Sequence, residues 1–364
     1  MATVKVQKIK STGYEISFGH HALAELSEML STEEYSGVKL FILVDENTLE
    51  NCLPKLIEKV PVLAGKEVIQ VDSGEGSKSV EISVQIWSAL SQMEADRKAV
   101  LLNLGGGVVS DLGGFLAGTF KRGIRFINIP TSLLAQVDAS VGSKVGINLN
   151  NLKNQIGLFC NPERVFIDPD FLRTLPRNHL LSGFAEMIKH ALIFDKDYWN
   201  QLKDVSFYEM ETLDEAIPRS IEIKNEIVIS DPFESGRRKI LNFGHTIGHA
   251  IESHSFESDG RTVLHGESVA AGMVCEAFIS EKIQKLSKEK LEEITRFVFS
   301  LFPRLQIQEI AYHRLVELMK HDKKNEFSEI RMSLLNDLGD CNYDIPVKPE
   351  LIIESLNYYQ RWVN

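Results

Sequence analysis

The segment Leu241-Asn-Phe-Gly-His245-Thr-Ile-Gly-His249 places two histidines four residues apart. On a helix that spacing puts both imidazoles on one face, where they can converge on a metal ion or a substrate. His265 lies within Leu264-His-Gly-Glu267, and Glu186 within Gly183-Phe-Ala-Glu-Met-Ile-Lys189-His190. Two imidazoles and one carboxylate make a three-ligand Zn2+ set with positions left open for substrate oxygens. The pattern HExxH is absent, because threonine follows His245. On the residues alone, surface or capping histidines account for the pair equally well. Glycines at 244 and 248 weigh against that. Each costs roughly 1 kcal/mol inside a helix, so close packing or ligand approach is the natural reason for them.

A second stretch, Gly105-Gly-Gly-Val-Val-Ser-Asp111-Leu-Gly-Gly-Phe-Leu-Ala-Gly118, follows the apolar run Ala99-Val-Leu-Leu-Asn-Leu104. Glycines at a strand-to-helix turn let the backbone approach a diphosphate, whose charge suits the free N–H groups of a helix start. The spacing departs from GxGxxG, since Ser110 stands in the third place, and no Gly-Lys-Ser/Thr follows. Close helix–sheet packing without a ligand is the competing explanation. Asp45 and Asn47, just past another apolar run, suit a ribose or adenine and equally suit a turn. Basic residues recur in polar segments: Lys121-Arg122, Lys144, Lys153-Asn154, Lys189, Lys224, Arg237-Arg238 and Asp322-Lys323-Lys324. Most read as solvated. Several gathered in one place would clamp a phosphate or carboxylate, arginine through paired hydrogen bonds and lysine as a point charge.

These residues need elements to hold them. Lys39-Leu-Phe-Ile-Leu-Val44 reads as a strand buried on both faces, Val68-Ile-Gln-Val71, 99–104 and 125–129 as further strands, and 80–93 as a helix. Such alternation predicts an α/β fold with a parallel sheet. Beyond residue 178 the pattern turns helical, over 180–194, 213–230, 246–253, 267–286 and 288–302, so the second half is expected to be all-α. Leu175-Pro-Arg-Asn178 marks the boundary, with Asn178 as a helix cap. The expected domains are therefore 1–178 and 179–364, packed directly with a ligand cleft between them.

With 364 residues, 43% of them hydrophobic, the chain has material for two cores. Its 40 basic and 51 acidic residues give a net charge of −11, which excludes a general polyanion-binding surface. Four scattered cysteines form no disulfide framework. There is no signal-peptide run and no long apolar span, so the expected location is cytoplasmic.

Taken together the motifs resemble the 3-dehydroquinate synthase family. The resemblance rests on 105–115, on Lys121-Arg-Gly-Ile-Arg-Phe-Ile-Asn-Ile-Pro-Thr-Ser through Lys144, on 183–189, on 241–249 and on 264–273, in that order. It implies a Rossmann-like NAD-binding domain, a helical metal-binding domain and a homodimer. It implies conversion of 3-deoxy-D-arabino-heptulosonate 7-phosphate to 3-dehydroquinate and phosphate, by transient oxidation at C5, β-elimination, reduction, ring opening and aldol closure. By the same resemblance Glu186, His245 and His265 are Zn2+ (or Co2+) ligands, with His254 a minor competitor because the segment 253–262 is longer than the family pattern. Asp45, Asn47, Glu75, Lys78, Gly106, Gly107, Asp111, Thr131, Ser132, Asp138, Lys153, Phe171 and Thr174 match NAD-contacting positions. Arg122, Lys144, Asn154, Lys189, Lys224, Arg238, Asn242, His249 and Lys324 match substrate-binding or catalytic positions, Arg122 reaching into the partner's site. Rival readings are cyclases of sedoheptulose 7-phosphate or glucose 6-phosphate, which resemble this motif with an acid at 242. A metal-dependent dehydrogenase of the glycerol dehydrogenase type and a catalytically dead NAD-binding regulator are the others.

Overall fold

The apolar run after Lys39 becomes a strand with no exposed face: Phe41 and Leu43 enter one hydrophobic cluster, Ile42 and Val44 another, on opposite sides of one sheet. A computed structural model describes residues 6–149, 152–206, 210–257, 263–320 and 329–363. It divides into two compact units, Met1–Pro176 and Arg177–Asn364.

The first unit has strands β1 (Gln7–Lys10), β2 (Glu15–Phe18), β3 (Leu40–Asp45), β4 (Glu67–Val71), β5 (Val100–Gly105) and β6 (Arg125–Pro130). A hairpin of β7 (Lys144–Leu149) and β8 (Leu152–Phe159) precedes β9 (Arg164–Ile167). Seven strands form one sheet in the order β1-β2-β9-β6-β5-β3-β4. All neighbours pair in parallel except β1 and β2. Helices α1 (Ala22–Leu30), α2 (Glu46–Asn51), α3 (Leu53–Lys59), α4 (Val80–Gln92) and α5 (Gly107–Thr119) make the connections. From β3 the chain steps outward to β4, then returns to place β5 on β3's other side. The connections thus reverse direction between β3 and β5. The crevice beyond the carboxyl ends of those two strands is where such sheets bind ligands.

The second unit carries α6 (Arg177–Phe194), α7 (Lys196–Leu202), α8 (Met210–Ser230), α9 (His245–Glu257), α10 (His265–Ile283), α11 (Lys288–Leu301), α12 (Tyr312–Lys320) and α13 (Pro349–Arg361). α10 is its axis. Residues from Gly266 to Ser280 are nearly all buried, and α6, α9, α11 and α13 pack around it. Two sequence expectations need correction. The unit is helical, but the all-α reading left out an antiparallel hairpin, β10 (Arg331–Asp337) with β11 (Asp340–Pro346). Its two-residue loop is Leu338-Gly339, with Gly339 at φ +83°. Asn178 does not cap α6, which already begins at Arg177. Among the described residues no helix is long and apolar enough to cross a membrane.

Candidate active site

In the second unit three helices approach one another where glycines remove their side chains. A Cβ on Gly266 would lie 2.3 Å from the Ser182 backbone, so α10 starts directly against α6. Ser182 Oγ accepts from Gly266 N at 2.9 Å and fixes that contact. Glu186 is one turn along α6 from Ser182, on the same face, and His265 immediately precedes Gly266. On the other side of α10, a Cβ on Gly272 would meet Gly244 O at 2.0 Å, and one on Gly248 would meet Ser268 O at 3.0 Å. The glycines beside the two histidines therefore serve close packing of α9 on α10. Gly244 lies just before the helix, at φ +78°.

This packing gathers His245, His249 and His265, each offering a ring nitrogen within 4.8 Å of the others. Glu186 Oε1 is 3.4 Å from His245 Nε2 and 3.5 Å from His265 Nε2. Those separations exceed a good hydrogen bond. They match the edge of a tetrahedron of donors each about 2.0–2.1 Å from a central ion, which is about 3.3–3.4 Å. Glu186 is wholly buried, and neither of its oxygens makes a hydrogen bond of regular geometry. The donor set thus fits a divalent cation. His254 does not belong to the converging group.

The rings are held from behind. His245 Nδ1 faces Phe243 O at 3.1 Å, and His265 Nδ1 faces Glu252 Oε2 at 3.3 Å, which leaves both Nε2 atoms toward Glu186. Burial penalises the charge of Glu186, but Lys189 and His245 outweigh it and hold the carboxyl well below its ordinary range. For His245, burial and Lys189 together lower the pKa. Burial opposes charge on His265 too, yet the carboxylates of Glu186 and Glu252 beside its two ring nitrogens push it up to about 10. A cation bound there displaces that proton, since only a neutral imidazole is a ligand. Sequence reasoning missed Glu252. Its signal was present: 245, 249 and 252 are spaced i, i+4, i+7 along one helix face.

Of the other residues expected to meet substrate, Lys189, Lys224 and Arg238 are buried in this unit. Lys324 lies outside the described residues. Asn242 donates to Glu234 Oε1 at 3.0 Å, and Arg238 Nη1 donates to Pro232 O at 2.7 Å. Asp231 organises this loop, accepting from the backbone N–H of Ser235 (3.0 Å), Gly236 (2.7 Å) and Arg238 (3.1 Å). Burial raises the Asp231 pKa, and these N–H donors outweigh it and hold the group below the usual carboxylate range. A lowered folded pKa stabilises above the unfolded value and is lost as pH falls through the folded one. Asp231→Asn is therefore expected to be less stable than wild type at neutral pH by about 1–2 kcal/mol. The gap should begin to narrow near pH 4, where the unfolded value of about 3.9 is passed, and close as pH falls through the lower folded value. Urea denaturation at a series of pH values checks this; a pH-independent gap would remove the charge from the account.

In the first unit the residues expected to contact NAD collect at the carboxyl ends of the parallel strands. Asp45 ends β3, Glu75 follows β4, Gly106 follows β5, Thr131 and Ser132 follow β6, and Phe171 and Thr174 follow β9. Helix α5 starts at Gly107 with no side-chain cap, which leaves its first N–H groups to suit a diphosphate. The two explanations of the glycines divide by position. Gly113, Gly114 and Gly118 pack tightly on Asn103, Val145 and Leu158, whereas a Cβ on Gly106 or Gly107 would come no nearer than 3.3 Å to another side chain. Asp45 caps α2, accepting from Thr48 N at 2.8 Å, and Asn47 is exposed beside it. Phe171 is buried in the core, and half-buried Asp138 sits in the turn Ala135–Ala139.

Lys78, only 3% exposed, joins Asp111 (2.6 Å) to Asn154 (2.7 Å), and Lys153 lies 3.7 Å from Glu75. Asn148, unanticipated from sequence, ties this cluster together. It donates to Glu75 Oε2 at 3.0 Å and accepts from the backbone N–H of Asn154, itself at φ +51°. Lys144 is exposed at the start of β7. Arg122 is exposed on a left-handed turn, with φ +51° at Lys121, +70° at Arg122 and +110° at Gly123.

Comparison with known proteins points to one family. Residues 68–182 match the family model of the 3-dehydroquinate synthase N-terminal domain, and 183–325 that of its C-terminal domain. A 3-dehydroquinate synthase of Parabacteroides distasonis is 47% identical over 339 residues, covering 93% of this chain and 95% of that protein. One from Leptospira interrogans is 38% identical, with 93% of each covered. A crystal structure of 2-deoxy-scyllo-inosose synthase, complexed with carbaglucose-6-phosphate, NAD+ and Co2+, superposes with a TM-score of 0.83. It is 24% identical and covers 97% of this chain and 99% of that one, which speaks to the fold. With both halves matched in order, and nearly half its residues shared with an enzyme of almost its own length, this chain belongs to the 3-dehydroquinate synthase family.

Proposed function

We propose that this protein converts 3-deoxy-D-arabino-heptulosonate 7-phosphate to 3-dehydroquinate with release of phosphate. The observation that carries the reading is Glu186 lying at tetrahedral edge distances from both His245 and His265, whose ring nitrogens are within 4.8 Å of each other. In this reading those three residues hold Zn2+ or Co2+. Asp45, Glu75, Lys78, the Gly106-Gly107 turn, Asp111, Thr131 and Ser132 lie where NAD is held. The metal, when bound, supplies Lewis-acid polarisation of substrate oxygens, and NAD a reversible hydride acceptor.

The chain's own residues do the rest. His249, one turn from His245, is placed to carry the proton of the C5 hydroxyl. Lys144 and Asn154 orient the phosphate. Lys189, Lys224, Arg238 and Asn242 hold the remaining oxygens, the Asn242 amide donating to the substrate carboxylate where an acid would repel it. Fixing the ring-opened intermediate in one conformation favours its closure over side reactions. The reading extends to a cytoplasmic homodimer in which Arg122 enters the partner's site.

The test is phosphate release from the heptulosonate phosphate by protein supplied with NAD+ and Co2+, beside sedoheptulose 7-phosphate. Phosphate is expected from the first only, with no net NADH. A stoichiometric rise at 340 nm would identify an ordinary dehydrogenase. Release from sedoheptulose 7-phosphate alone would identify a different cyclase.

A further inference from the structure

One wholly buried carboxylate in the second unit has no part in the mechanism above. Glu276 lies on α10, eleven residues after His265 and four after Gly272, so the three share one helix face. That face meets the start of α9. Glu276 Oε2 accepts from Gly244 N at 2.6 Å, and Oε1 accepts from Ile247 N at 3.1 Å. These two N–H groups stand on either side of His245. The carbonyl of Phe243, next to Gly244, is the group that faces the His245 ring at Nδ1.

We propose that Glu276 is a positioning residue for the metal ligands, an inference that rests on the metal reading. It fixes the height and rotation of α9 on α10, and with them His245 and His249 relative to His265. Gly272 lets the two backbones touch, but touching leaves α9 able to slide or turn. Two hydrogen bonds to one rigid carboxylate remove that freedom. The charge has a second effect. The start of α9 carries the positive end of its helix dipole, next to His245, and a carboxylate there offsets repulsion of a bound cation.

Glu276→Gln keeps the volume, removes the charge and turns one of the two acceptors into a donor facing an N–H. Wild type, this variant and Ile279→Ala, a packing loss elsewhere on α10, are titrated with Co2+ against a competing chelator while visible absorption is recorded. Glu276→Gln is expected to weaken Co2+ about 10–100-fold and to change the absorption band of the bound ion. Ile279→Ala is expected to lose stability while keeping wild-type affinity and band. Glu276→Asp, which keeps charge but shortens the reach, should show a smaller loss in the same direction and serves if the glutamine variant does not fold. Unchanged affinity and band in the Glu276 variants, or an equal loss in Ile279→Ala, would overturn this inference alone. Wild type that binds no Co2+ would overturn the metal reading, and this inference with it.

Discussion

Glu186→Ala is expected to lose nearly all bound metal and to cut phosphate release to below about one-thousandth of wild type. The rate effect follows from the size of the electrostatic help at stake. A Lewis-acid cation supplies several kcal/mol of transition-state stabilisation, and each 1.36 kcal/mol is a factor of ten. The stability effect has a separate cause. Glu186 and Lys189 are an ion pair on one turn of α6 whose side chains are at most 2% exposed. Deleting the carboxylate takes a charge partner from a buried ammonium, which costs about 3–5 kcal/mol. For a unit of this size the melting temperature should fall on the order of 10 °C. Metal analysis, calorimetry and the phosphate assay on one preparation separate the two effects. Full metal content in the variant would show that the three histidines hold the cation without Glu186.

Gly272→Ala is expected to be among the most damaging single-methyl changes in the second unit. The added Cβ would lie 2.0 Å from Gly244 O and 2.8 Å from Gly248 N, both backbone atoms, the first just before α9 and the second within it. No side chain can swing aside, so α9 must move as a body or α10 must bend. The expected cost is about 3 kcal/mol, at the upper end for over-packing. Because α9 carries His245 and His249 while α10 carries His265, the same shift spreads the donors. Metal affinity should fall even in protein that remains folded. Gly113→Ala is the informative comparison. Its Cβ would crowd the Asn103 side chain at 1.9 Å, in the first unit, and disturb the buried amide contact to Asn128. It should lower stability and leave Co2+ affinity as in wild type. Thermal melts and Co2+ titrations of both variants check this, and a neutral Gly272→Ala would mean that backbone contact does not set the α9–α10 spacing.

What the sequence by itself determined is what depends on short-range regularity. Continuous apolar runs gave β3, β5 and β6, because a strand buried on both faces cannot alternate with polar residues, whereas β4, at the sheet edge, alternates with Ile69 and Val71 buried and Val68 exposed. Four-residue spacing put His245 and His249 on one face, and the same periodicity held Glu252 and Glu276, unread because a carboxylate on a helix is ordinarily solvated. The β10–β11 hairpin was not legible, because Leu338-Gly339 is none of the Asn-Gly, Asp-Gly or glycine-first pairs that mark a two-residue hairpin loop. Only the tertiary structure decided which groups meet. Glu186 and His265 are 79 residues apart, and nothing local shows that Gly266 lets α10 start against Ser182. Likewise, only packing shows that Gly113, Gly114 and Gly118 make room for side chains, while Gly106 and Gly107 begin a helix no side chain caps. The reason is physical. Periodicity fixes which way a side chain faces along its own element, whereas the distance between elements is fixed by the atoms missing where they touch.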